Sequence, residues 1–128
     1  MATESPLGSD KIMAFVGTRD QAKAKALYRD TLGLPLISED HFALPFDGHG
    51  NMLRVTNVAK VVIAPNTVLG WEVENIAATV KALQEAGVKF EHYAGMGQDE
   101  LGVWQTPRGT KVAWFKDQNG NTFSLTQL

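Results

Sequence analysis

From Lys11 to Gly17 apolar and small residues alternate in the manner of a strand. At Thr18 the period changes. Thr18-Arg19-Asp20-Gln21 has the form of a capping box, with a glutamine three residues after a threonine. Ala24, Leu27, Tyr28 and Thr31 or Leu32 then share one helical stripe, which predicts a helix over Asp20 to Thr31, ended by Gly33. The apolar stretch His41 to Phe46, the turn residues Asp47-Gly48-His49-Gly50-Asn51 and the alternating run Met52-Leu53-Arg54-Val55 predict a β-hairpin.

The same grammar returns. Thr67 to Val73 is strand-like, Asn75 to Ala86 carries Ile76, Val80 and Leu83 at helical spacing, and Gly87 ends that helix. Val88 to Tyr93 predicts another strand. Lys111 to Phe115, the turn Asp117-Gln118-Asn119-Gly120-Asn121 and Thr122-Phe123-Ser124-Leu125 predict a second hairpin. Both turns read D-x-x-G-N, 70 residues apart (47 to 117). The expectation is an α+β domain over residues 11–128, with eight strands and two helices in two βαβββ modules, 11–57 and 67–128. Each module alone buries too little surface, so two must pack together, within one chain or between two. Two departures from symmetry stand out. The segment Thr18 to Gly33 is one residue longer than Val73 to Gly87, and Ala94 to Arg108 is an insertion that reads as a long loop, a candidate lid. Residues 1–10 read as a flexible polar lead-in without the apolar core of a signal peptide.

Composition narrows the function. The net charge of −2, with Lys and Arg scattered, gives no basic footprint for nucleic acid. No apolar run is long enough to span a membrane. The absence of cysteine removes disulfides, zinc–thiolate sites and thiol nucleophiles. A soluble cytoplasmic protein is the expectation.

The run Ala26-Leu27-Tyr28-Arg29-Asp30-Thr31-Leu32-Gly33-Leu34 and the closing Phe115-Lys116-Asp117-Gln118-Asn119-Gly120-Asn121 resemble the first helix and last hairpin of the glyoxalase, bleomycin-resistance and extradiol-dioxygenase (vicinal oxygen chelate) superfamily. In that hairpin the family usually has Asp-Pro-Asp-Gly-Asn; here Gln118 and Asn119 replace the Pro and the second Asp. The resemblance implies that each module curls into half a cup. In the family's metal enzymes, one ligand comes from the first and one from the last strand of each module. Counting from the helix starts and hairpin turns carries those places onto Met13, Arg54, Val68 and Ser124. A divalent ion wants imidazole or carboxylate, and none of the four supplies one, so neither metal nor other cofactor is expected.

Strand parity then gives the concave face: Met13, Phe15, Phe42, Leu44 and Arg54 from the first module; Val68, Gly70, Glu72, Val112, Trp114, Thr122 and Ser124 from the second. The binding residues expected are Met13, Phe15, Phe42, Arg54, Val68, Glu72, Trp104, Trp114 and Ser124. They would form an apolar wall with Arg54 as the anchoring cation for a carboxylate or phosphate and Trp114 as a stacking plane. The apolar members are more often core packing residues than ligand contacts, and Arg54 equally suits an ion pair with Glu72 or a solvated edge. His49 sits in a turn. His41 shares strand parity with Glu39, a faint signal of a base or metal site, and His92 points away from its neighbour Glu91. Three functions follow from the resemblance and these residues. The first is a metal-free, drug-sequestering binding protein for an aromatic or anionic molecule, a homodimer with the 94–108 loop closing over its ligand. The second is a diverged glyoxalase-like lyase or isomerase, or a dioxygenase, with an atypical metal arrangement, or a cofactor-free catalyst using Glu72 or His41. The third is a partner domain without ligand.

Overall fold

Two small mixed sheets and two helical segments build the chain, in a computed structural model that describes residues 6–128. The part of the 1–10 lead-in expectation that falls on residues 1–5 lies outside the described residues. The first module runs β1 (Met13–Thr18), α1 (Gln21–Lys25), β2 (Ala43–Gly48) and β3 (Asn51–Asn57). The second runs β4 (Thr67–Glu72), α2 (Ile76–Glu85), β5 (Trp104–Gln105), β6 (Lys111–Lys116) and β7 (Thr122–Gln127). The sheet orders are β1-β3-β2 and β4-β7-β6-β5. In each, the strand before the helix pairs parallel to the last strand of its module, and the hairpin strands pair antiparallel. The internal repeat is thus realised as two sheets of related topology.

Several expectations need correction. The first concerns the helix start. Asp20, not Thr18, caps α1, its carboxylate accepting from Lys23 N at 3.1 Å, while Thr18 Oγ1 is engaged with the Asp20 backbone. After Lys25 the helix widens to a π-helical segment, Ala26–Thr31, and Leu32 N–H bonds Leu27 carbonyl at 2.8 Å. A π turn absorbs an extra residue within a helix, which accounts for the longer first helical segment. Gly33, at φ 77°, then turns the chain as a left-handed cap.

The second correction concerns the strand after each helix. Residues 88–93 contribute only a bridge, Phe90 to Phe115, and Leu36 to Phe46 is its counterpart in the first module. The side chain of Gln98 accepts from Tyr93 N at 2.6 Å and donates to the carbonyls of Glu91 and Gly102. Backbone groups satisfied by a side chain have no need of a ladder partner. The third concerns the 94–108 insertion, which is not loop throughout, since Trp104–Gln105 form β5. Besides the Gln98 bonds, Asp99 accepts from Leu101 N and Val103 N, each at 2.9 Å, and β5 joins the sheet edge beside β6.

One core runs through both modules, with Tyr28, Phe46, Phe115, Phe123, Leu44, Val55, Ile76 and Val80 fully buried. Tyr28 packs against Phe46 of its own module at 5.4 Å and Phe123 of the other at 6.0 Å between ring centroids. Leu44, expected on the concave face, lies in this core because it pairs with Val55. Among the described residues no group completes a well-formed hydrogen bond to the buried hydroxyl of Tyr28, although the Asp117 carboxylate lies beside it. Burial first, and the adjacent Asp117 carboxylate second, push its pKa far above the ordinary tyrosine value. A folded pKa above the unfolded one means the unfolded chain ionises first. Stability is therefore complete below about pH 10 and falls above it. Tyr28→Phe removes an orphan donor and should raise the unfolding free energy by about 1 kcal/mol, with less decline at alkaline pH in denaturant titrations. A loss of stability at neutral pH would contradict this account.

Candidate functional site

Eight of the nine expected site residues lie in strands, and Phe42 precedes β2. On the first sheet Phe15, Arg54 and Pro45 form one cross-strand row, and Met13 pairs with Met52 in the next. Phe15 is 63% exposed and Met13 45%. Arg54 is half-buried and forms no ion pair among the described residues, so the expected alternative of a bridge to Glu72 is not what its position uses. Its charge lowers the pKa of Asp40 only after the larger contributions of the Phe42 and Ala43 amides.

On the second sheet Gly70, Ser124 and Trp114 form one row, and Glu72, Thr126, Val112 and Trp104 the next. Trp104 stacks on Trp114 at 6.1 Å and 28°, and Tyr93 meets Trp114 edge-on at 5.8 Å. Glu72 is exposed. Ser124 is buried, and its Oγ lies 2.7 Å from where a Cβ on residue 70 would stand, so Gly70 makes room for this hydroxyl. Val68 falls at a register shift between Thr67 and Leu69, where a bulge re-aims the chain.

The two faces meet at the module junction. Phe15 and Val68 line one groove of about 240 Å³ with Val58, Val61 and Val62 of the intermodule segment. Trp104 and Trp114 stand together elsewhere on the second sheet. Phe42, 71% exposed, precedes β2 and carries the edge of the His41 ring. Sequence reasoning missed Met52, although it shares the parity of Arg54. It also missed Tyr93 and the junction valines, which only the folded chain brings to these faces. The pairing of Glu39 with His41 is not realised: Glu39 bonds Lys25 Nζ at 2.6 Å, and His41 lies in a bend. His49 is exposed in the first hairpin turn with φ 56°.

Two mixed sheets of related topology, each with its helical segment, define a scaffold rather than one chemistry. The chain belongs to the Glyoxalase/Bleomycin resistance protein/Dioxygenase superfamily, whose family model matches residues 10–125. Solved structures agree on the fold. A lactoylglutathione lyase from Agrobacterium tumefaciens superposes with TM-score 0.71 at 15% identity, covering 93% of each chain. A superfamily member from Sphaerobacter thermophilus gives 0.71 at 20% identity, over 94% of this chain and 98% of its own. TnmS3, an antibiotic binding protein from Streptomyces sp. CB03234, gives 0.67 at 22% identity, over 93% of this chain and 95% of its own. No curated protein sequence matches the chain. No helix among the described residues is long and apolar enough to cross a membrane.

The family's metal does not suit these residues. The four ligand places hold a thioether, a guanidinium, an isopropyl group and a buried hydroxyl, and the guanidinium repels a cation. Among the described residues no three His, Asp or Glu side chains converge on one point.

Proposed function

We propose that this superfamily member is a small-molecule-binding protein of the drug-sequestering kind, working without a metal and holding an aromatic or anionic organic ligand on the faces described above. The observation that carries the reading is Arg54, a half-buried cation with no ion-pair partner among the described residues, set between Phe15 and Pro45 on a largely apolar face. A guanidinium in that setting offers a planar, bidentate seat for a carboxylate or sulfonate. Met13, Met52 and Phe15 offer the apolar contact, and the Trp104–Trp114 stack offers a second plane for a ring. The fold shared with an antibiotic binding protein supports the same reading. The alternative, a lyase, isomerase or dioxygenase with an atypical metal arrangement, draws support from the lactoylglutathione lyase fold but lacks suitable donors at the four places.

The proposal includes a homodimer and a cytoplasmic setting. Ile12, Met13, Phe15, Phe42, Val62 and Val68 are all exposed apolar side chains, a concentration that a second copy would cover. The test uses 2-naphthoate, a flat aromatic carboxylate. Titrated into chelator-treated protein and followed by tryptophan fluorescence, it should bind saturably, with the same affinity as before chelation, to a species that sediments as a dimer. Binding that vanishes on chelation, or no saturable binding, would defeat the metal-free binding reading. Sedimentation as a monomer would defeat the dimer.

A further inference from the structure

The repeated turn differs between the modules at a position with chemical consequences. In the first module His49 stands before Gly50; in the second Asn119 stands before Gly120. Asn119-Gly120 is the chain's single Asn-Gly pair, since Asn51, Asn57, Asn66, Asn75 and Asn121 precede Met, Val, Thr, Ile and Thr. Asparagine is a thermolabile residue. It is lost when the following backbone nitrogen attacks the side-chain amide carbon, and a following glycine, without a Cβ, leaves that nitrogen open to approach.

Three hydrogen bonds hold the pair short of this reaction. Asn119 Nδ2 donates to Thr18 Oγ1 of the first module at 3.2 Å. Gly120 N, the attacking atom, donates to the Asp117 carbonyl at 3.1 Å. Asn119 N donates to Asp117 Oδ1 at 2.9 Å. Asp117 is buried and further fixed by Asn121, so the turn does not flex freely around it. Ile63 of the intermodule segment lies over the turn, its Cδ1 3.7 Å from where a Cβ on residue 120 would stand. Asn119 and Gly120 are half-buried, so water reaches them. Attack requires the Asn119 amide to leave Thr18 and the Gly120 amide to leave Asp117. The first of these movements parts groups that belong to different modules.

We infer that Asn119 is a modification site, converted by its own backbone to aspartate and isoaspartate, and that docking of the first module on the second holds the conversion in check. Gly120 N bonds to Asn119 Cγ, the Cγ–Nδ2 bond breaks, and the Gly120 amide proton leaves with Nδ2 as ammonia. Water then opens the cyclic imide. Cleavage of the new bond to Cγ gives aspartate. Cleavage of the original bond between the Asn119 carbonyl carbon and Gly120 N gives isoaspartate, whose backbone runs through Cβ and Cγ. Both products lack the Nδ2 donor to Thr18, and isoaspartate also lengthens the backbone of the turn that Asp117 holds. A transient separation of the modules is thereby recorded as a covalent change.

The experiment incubates the unaltered protein at mildly alkaline pH beside a synthetic peptide of residues 113–125 and follows each asparagine by peptide mass spectrometry. In the protein Asn119 should convert ahead of every other asparagine. It should convert roughly tenfold or more slowly than in the peptide, as expected where reaction waits on a local opening that breaks several hydrogen bonds. Thr18→Val removes the acceptor while keeping the shape of the buried side chain, and conversion should quicken roughly fivefold, the population change expected for one lost hydrogen bond. Val80→Ala, a core truncation on α2, leaves all three bonds in place and costs more stability, yet should quicken conversion less. Conversion at the peptide's rate, another asparagine converting first, no change in Thr18→Val, or a greater change in Val80→Ala would overturn the inference. Should Thr18→Val fail to fold, the unaltered chain set against its peptide decides alone.

Discussion

Replacing Asp117 with alanine should lower the unfolding free energy by about 3 kcal/mol or more, the sum expected for stranding several buried donors of a charged acceptor. Asp117 is 7% exposed. Its Oδ1 accepts from Asn119 N and Asn121 N, each at 2.9 Å, and its Oδ2 from Asn121 Nδ2 at 2.9 Å. The hairpin it shapes also joins the modules, because Asn119 Nδ2 donates to Thr18 Oγ1 of β1 at 3.2 Å. Water cannot readily replace an acceptor at that depth, so the loss should appear in full, as a drop in melting temperature of roughly 10 °C. Asp117→Asn keeps one oxygen and should lose markedly less. Asp47→Ala is the internal control, since Asp47 takes a single amide, Gly50 N, and is only half-buried. Chemical denaturation of the three variants checks this. Equal losses at 47 and 117 would show that the turn motif, not the intermodule setting, holds the energy.

The second large effect falls on ligand binding. Arg54→Met should weaken 2-naphthoate roughly tenfold to a hundredfold, as expected for removing a charge-assisted bidentate contact. Methionine keeps the length and apolar contact of the side chain while removing its charge. Stability should change little, since Arg54 has no ion-pair partner among the described residues to strand. Arg54→Lys should recover only part of the affinity, because an ammonium lacks the planar fork. Naphthalene, which has no carboxylate, should bind Arg54→Met as it binds the unaltered protein. Unchanged naphthoate affinity in Arg54→Met would end the anchoring role and leave the apolar face as packing surface for a partner.

The helical stripes, both glycine stops and the two hairpins are local grammar, and they were legible residue by residue. Strand parity also placed Arg54 beside the apolar positions of β1 correctly. Leu44 was misassigned because it belongs to β2, whose register against β3 was read as if continuous with Phe42. Phe42 precedes the strand, where alternation no longer says which way a side chain points. The candidate site was legible as residue types and less so as a place. No local pattern reports that Tyr93 meets Trp114, that Ser124 is buried beside Gly70, or that Val58, Val61 and Val62 close over the module junction.

The repeated D-x-x-G-N turn draws the boundary most clearly. The sequence by itself determined that both copies form hairpin turns, because Asp and Gly satisfy local backbone needs wherever they stand. It also determined the donor chemistry at Met13, Arg54, Val68 and Ser124, which is a matter of residue identity. Only the tertiary structure decided that one aspartate is buried, in a turn whose Asn119 bonds Thr18 of the other module, and the other stays half-exposed. Burial and charge pairing depend on what the rest of the chain packs against each turn, and identical short motifs carry no information about that surrounding.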